Sequence, residues 1–241
     1  MTHKTFFAAI TAFVASFIFG ADVSANDGAY QVVSPDGHLS ATVVVGSDIS
    51  YTVSRDALQL IAPSQISMTL SDGIVFGQDD KVRKVRRDSR DQVWQATVYK
   101  KSDVRDHYNE MTLEFKEFSL TFRAYDDGVA YRFASKLKGD FTVMSEKAEF
   151  AFAKDWDAFI PYVKQHTKTL ETQYFNSFEN TYKEYRLSEW NKSRLAFAPL
   201  VVNADNGVKV LLTEADLLDY PGMFLYNEGD ASTLSARFAP Y

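Results

Sequence analysis

The segment Thr213-Glu-Ala-Asp-Leu-Leu-Asp-Tyr-Pro-Gly222 places Glu214, Asp216, Asp219 and the Tyr220 phenol just ahead of a Pro-Gly turn. The apolar run Val208 to Leu212 before it reads as a buried strand, so Glu214 falls at a strand end. A rigid strand fixes the side chain there, while the following loop opens space around it. A carboxylate so placed can ligate a hard cation, accept hydrogen bonds from sugar hydroxyls, or simply cap the turn. Residue types alone leave all three open, with the turn cap the plainest.

Other groups narrow the chemistry. Glycoside hydrolysis needs two carboxyl groups, and the spaced candidates are Asp126/Asp127, Glu179/Glu184 and Asp216/Asp219. The first pair sits in a hairpin turn, where its side chains serve as caps. Apolar sugar faces stack on aromatic rings while hydroxyls bond amides and carboxylates. Residues 162–190 are rich in both, and Asn176 and Glu179 lead as candidates for sugar hydroxyls. The competing reading is a small core that packs this excursion onto the rest of the domain. Histidines at 3, 38, 107 and 166 show no zinc-ligand spacing. No EF-hand loop exists, so a complete calcium cage within the chain is not expected. Cysteine is absent and no Gly-x-Ser-x-Gly elbow occurs, which removes the usual nucleophiles. Ser34 and His38 read as turn residues, and no glycine-rich phosphate loop is present.

The elements that must position these groups are strands at short intervals with turn residues between them. Leu39–Val45 and Ile49–Val53 suggest one hairpin. Leu120–Tyr125 and Val129–Phe133 flank Asp126-Asp127-Gly128 as a second, each alternating apolar and polar. Further candidates are Ile66–Leu70, Val93–Tyr99, Met111–Phe115, Phe141–Met144, Glu149–Phe152, Leu195–Val202 and Val208–Thr213. The last two are joined by Asn203-Ala-Asp-Asn-Gly207. The charged run 79–88 reads as a solvated edge strand or loop. Residues 164–189 form a long irregular excursion with one helical turn, and such segments are usually functional. The whole predicts one all-β domain of two packed antiparallel sheets, with little helix.

Residues 1–25 are set apart. Lys4, the apolar run Phe6 to Phe19 and the small-residue pattern Val23-Ser-Ala25 predict a signal peptide and an exported protein, with residues 26–241 as the folded domain. No later run is long enough to predict a membrane span. An exported domain with no cysteine must stand on its core, and an aromatic content of 15%, including 19 Phe, supplies one. A net charge of −6 argues against a nucleic-acid partner.

The Thr213–Met223 segment resembles the end of the N-terminal domain of glycoside hydrolase family 97. Ser34-Pro-Asp-Gly-His38, Arg123-Ala-Tyr-Asp-Asp-Gly-Val-Ala-Tyr-Arg-Phe133 and Tyr174-Phe-Asn-Ser-Phe-Glu-Asn-Thr-Tyr182 match in the same order. The resemblance covers nearly all of the chain after residue 25. It implies a galactose-mutarotase-like super-sandwich and a parent enzyme that hydrolyses terminal α-glucosides or α-galactosides with the help of calcium (Ca2+). It also implies that the sandwich completes one wall of the active site for an α-linked oligosaccharide. Glu214 would then donate one ligand to a calcium shared with a catalytic (β/α)₈ barrel, which lies beyond Tyr241. On that reading the chain is an N-terminal fragment and holds no catalytic pair of its own. The competing hypothesis is a stand-alone carbohydrate-binding or structural sandwich.

Overall fold

The computed structural model describes residues 28–164, 169–218, 220–229 and 232–240. The leader at 1–25, His166 and Asp219 lie outside the described residues. Strands β1 (Ala29–Val33), β2 (Leu39–Val45), β3 (Ile49–Arg55) and β4 (Leu58–Leu70) form an antiparallel meander. Alternation puts Ala41, Val43, Ile49, Tyr51 and Val53 on its inner face. The short β5 (Val75–Phe76) adds beside β4. A second sheet follows in simple order: β6 (Lys84–Gln95), β7 (Asp103–Glu114), β8 (Phe118–Tyr125) and β9 (Val129–Ser135).

The chain then returns to the first sheet as β10 (Val143–Ala151), which pairs β4. Beyond it come β11 (Asp157–Ile160), β12 (Lys183–Arg186), β13 (Ala196–Phe197), β14 (Leu200–Asn203), β15 (Lys209–Leu212), β16 (Met223–Tyr226) and β17 (Thr233–Phe238). The first sheet runs β1-β2-β3-β4-β10-β17-β16-β13, and a third runs β12-β11-β14-β15. Strand accounts for about 55% of the structure and helix for about 5%, the latter in short 3-10 turns. The fold is an all-β antiparallel sandwich.

The core lies between the first and second sheets and continues under the third. Met111, Leu113, Leu120, Phe122 and Ala124 face the meander and are fully buried. Phe122 meets Tyr51 at 5.8 Å and Tyr131 at 5.6 Å between ring centroids, and Phe115 stacks on Phe118 at 4.3 Å. Burying one such ring stabilises the fold by roughly 1.5–3 kcal/mol. Aromatic volume is what lets two wide sheets close without disulfides.

Several elements differ from expectation for identifiable reasons. Leu195–Val202 is not one strand, because Pro199 cannot donate to a ladder and the chain changes sheets there, from β13 to β14. Val208–Leu212 is an edge strand, not a buried one: Lys209 and Leu211 face solvent while Leu212 faces in. The expected strand at Val93 begins earlier, at Lys84, and occupies a solvated edge of the second sheet, as the charge run suggested. The segments expected at Phe141–Met144 and Glu149–Phe152 overlap the two ends of one strand, β10 (Val143–Ala151).

Candidate functional site

Strand β15 ends at Leu212 and delivers Thr213 and Glu214 into a loop that returns at Met223, the first residue of β16. Glu214 is half-buried, and both of its carboxylate oxygens lie 3.0 Å from the Met223 backbone N–H, which donates to them. The carboxylate therefore ties the two ends of its own loop together. A single N–H occupies one of its acceptor positions, and a carboxylate offers about four. Asp216 adopts φ +58°, a left-handed conformation that Asp tolerates, and its carboxylate receives the Arg132 guanidinium at 2.9 Å from β9. Both members of that pair are exposed, so its worth is small.

Across the loop, Tyr220 donates its hydroxyl to Glu146 Oε2 at 2.8 Å and sets its ring edge against Phe238 at 5.7 Å. Glu146 comes from β10, in the middle of the first sheet, and it is half-buried. Burial pushes its carboxyl above the usual carboxylate range, the Glu214 charge pushes the same way, and the Tyr220 hydrogen bond works against both. Burial likewise raises the Tyr220 phenol, with the Glu146 charge adding to it. Among the described residues neither Glu146 nor Glu214 has a Lys or Arg partner. Two carboxylates thus feel each other with no protein cation to offset them. Sequence reading did not single out Glu146, because it fell in the gap between two short strands that are really one.

The excursion between β11 and β13 holds its polar groups differently. Gln173, 1% exposed in the 3-10 turn Glu171–Tyr174, donates to Ser193 O at 2.7 Å and accepts from Leu195 N–H at 2.9 Å. Asn176 donates to Gln173 O at 2.9 Å and accepts from Phe178 N–H at 2.7 Å. Both ends of that amide are engaged in the turn that Phe178 passes at φ +52°. Glu179 is exposed and has no side-chain partner among the described residues. Val163, Leu195, Phe197 and Phe224 form a satellite core beneath, with Tyr174 and Phe178 packed at 5.2 and 5.3 Å from Phe224. The small-core reading of this segment is therefore met by several of its aromatics, while Phe175 remains 83% exposed.

Two of the candidate carboxylates, Asp126 and Glu184, are engaged in structural contacts. Asp126 accepts the Asp36 N–H at 2.9 Å, a turn-to-turn tie. Glu184 receives Asn203 Nδ2 at 3.2 Å, on the third sheet. No group of three or more His, Cys, Asp or Glu among the described residues could hold a metal ion. Glu214, with acceptor capacity to spare and an uncompensated carboxylate neighbour, fits a single ligand of a hard cation. It does not amount to a cage.

Residues 32–239 match a family described as Glycosyl-hydrolase 97 N-terminal. A retaining alpha-galactosidase of Bacteroides thetaiotaomicron is 44% identical over 214 residues, which cover 88% of this chain and 32% of that protein. Among solved structures, a Glycoside Hydrolase Family 97 enzyme from Pseudoalteromonas sp. strain K8, in complex with acarbose, aligns with a TM-score of 0.74 at 25% identity. That alignment covers 88% of this chain and 32% of the enzyme. A beta-arabinopyranosidase aligns at 22% identity with a TM-score of 0.75, covering 88% and 35%, and shows the shared fold. The chain spans about a third of the length of these relatives.

Proposed function

Because the chain belongs to the glycosyl-hydrolase 97 N-terminal family, we propose that it is the sandwich domain of an exported glycosidase, forming one wall of the active site and supplying Glu214 to a calcium shared with a catalytic barrel. The parent reaction on this reading is hydrolysis of a terminal α-glucoside or α-galactoside. The 44%-identical relative, an alpha-galactosidase by name, favours the galactoside. The carrying observation is Glu214 itself: a strand-end carboxylate, held in place by one backbone N–H, whose charge is felt by the Glu146 carboxyl and which has no Lys or Arg partner among the described residues.

Calcium, when bound, would supply Lewis acidity and a charge that fixes nearby carboxylates. The chain's own residues do the positioning. Met223 N–H aims Glu214, and Tyr220 on Glu146 pins the far side of the loop to β10. Exposed Leu217 and Leu218 on the same loop, and Met144 on β10, offer apolar surface for a barrel to cover. Glu179, exposed on a turn whose shape Asn176 maintains, serves as the acceptor for a sugar hydroxyl.

The test is Glu214→Gln in the complete enzyme and in this chain alone. In the enzyme, calcium affinity should fall at least about tenfold and turnover with it, since a neutral amide is a poorer hard-cation ligand. In the chain alone, stability should change by less than about 0.5 kcal/mol, because a glutamine Oε1 can still accept the Met223 N–H. Unaltered calcium dependence of the enzyme would sink the assignment. The isolated chain should release no product from aryl α-galactosides or α-glucosides with or without calcium, and turnover by it would do the same.

A further inference from the structure

A cleft of about 240 Å³ lies over the paired strands β11 and β12 at the edge of the third sheet, walled by the segments that connect them, and it shares no residue with the Glu214 loop. Its lining carries Lys164, Lys183 and Arg194, with no carboxylate among them, in a chain whose net charge is −6. The grouping follows from the register. Lys183 pairs Ile160 and Tyr185 pairs Ala158, so the two β12 side chains project from one face of the sheet, toward the cleft. Neither Lys164 nor Lys183 has an ion-pair partner among the described residues.

Arg194 is the fixed element. Its guanidinium donates to Val163 O and lies over the Tyr162 ring, 5.3 Å from the centroid. Its Nε–H, by contrast, is buried and has no hydrogen-bond partner among the described residues. That nitrogen is buried out of reach of a ligand, so the donors Arg194 can offer to the cleft are those of its terminal nitrogens not held by Val163 O. A planar guanidinium presents its remaining donors as a fork suited to a carboxylate or sulfate. Around it stand neutral groups with capacity left. The half-buried Tyr185 ring and the Thr181 hydroxyl line the cleft, and neither polar end is engaged among the described residues. Asn180 is already committed, to Tyr162 O and Thr181 N–H, and serves as cleft wall. A ring face, a hydroxyl and an oxyanion fork in a space smaller than a drug-sized pocket suit one small polar unit.

We propose that this cleft binds an anionic sugar residue, its carboxylate or sulfate held by Arg194, Lys164 and Lys183 and its ring set against Tyr185. The site would let the protein hold acidic glycans, beyond the neutral α-glycoside proposed above, and it does not depend on the calcium reading.

The experiment is calorimetric titration of the full chain with galacturonate, galactose 6-sulfate, galactose and inorganic sulfate. The acidic sugars should bind at least about tenfold more tightly than galactose, the size of one charge-assisted hydrogen bond. Lys183→Gln and Lys164→Gln, both of exposed side chains, should each weaken acidic-sugar binding about fivefold and leave the melting temperature unchanged. Binding should fade near 1 M salt, where the Debye length is about 3 Å. Equal affinity for galactose and galacturonate, or binding indifferent to both lysine changes, overturns the site. Inorganic sulfate binding as tightly as the sulfated sugar overturns its assignment to a saccharide.

Discussion

The Glu214 loop and the excursion between β11 and β13 are built from the same residue types, yet they use them in opposite ways. In the excursion, polar side chains are consumed by the backbone around them: Gln173 and Asn176 each satisfy two main-chain groups, and Asn180 does so as well. In the loop, Glu214 meets one N–H and retains most of its acceptor capacity. A long segment without ladders must find partners for its own peptide groups, and amides are the side chains that offer donor and acceptor together. A loop of ten residues between two strands has fewer orphans to satisfy. Availability for a ligand is thus set by how much the local backbone demands, more than by the kind of residue present.

The largest expected effect tests the consumed side. Gln173→Leu leaves the buried Leu195 N–H without a partner, at roughly 1–3 kcal/mol, and also removes the bond to the Ser193 carbonyl, at roughly 1 kcal/mol. Urea denaturation of the chain should therefore show a loss of about 3 kcal/mol. A loss below about 1 kcal/mol would mean that the amide is not the latch of the excursion.

Neighbouring substitutions sharpen the contrast at a smaller scale. Asn176→Ala should lower stability by about 1 kcal/mol, the usual worth of a side-chain turn bond. Glu179→Ala, three residues on, should stay within about 0.5 kcal/mol, while weakening oligosaccharide binding by the complete enzyme. If the two variants are equally stable, the distinction between consumed and available groups fails in this segment.

Much of this was legible in the sequence where the pattern was local. Alternation in Leu120–Tyr125 and Val129–Phe133, and the short turn between Leu39–Val45 and Ile49–Val53, led directly to the observed hairpins. The position of Glu214 just past a strand end was legible as well, since an apolar run followed by Tyr-Pro-Gly needs no tertiary knowledge. What escaped depended on distant partners. Glu146 matters because Tyr220, 74 positions away, reaches it. The buried face expected for Val208–Leu212 failed because an apolar run cannot reveal that its strand will lie at a sheet edge. The cationic cleft depends on the pairing of β11 with β12, a register that periodicity does not encode when one strand is only four residues long.

The smallest effect compares Glu214 with the carboxylate at the opposite end of its hairpin. Asp205, in the turn between β14 and β15, accepts from Lys154 and takes the Trp156 indole N–H at 3.0 Å. The Lys154 bond, then the Trp156 bond, hold its carboxyl below the usual range, since both favour the charged form. A carboxylate depressed in the folded state contributes stability above its unfolded pKa, near 3.9, and loses it as pH falls through the lower folded value. The stability difference between wild type and Asp205→Asn should accordingly be constant from neutral pH down to about 4, then shrink as pH falls further. Using the difference removes the titration of carboxylates common to both proteins, and Trp156 itself reports the unfolding by fluorescence. The gap should be small because the pair is solvent-exposed, and high salt should narrow it. Glu214→Gln run beside it should show no such gap at neutral pH. An equal gap from both variants, shrinking alike at low pH, would mean that the two carboxylates are held alike, and that Glu214 is as fully consumed by its turn as Asp205 is by its own.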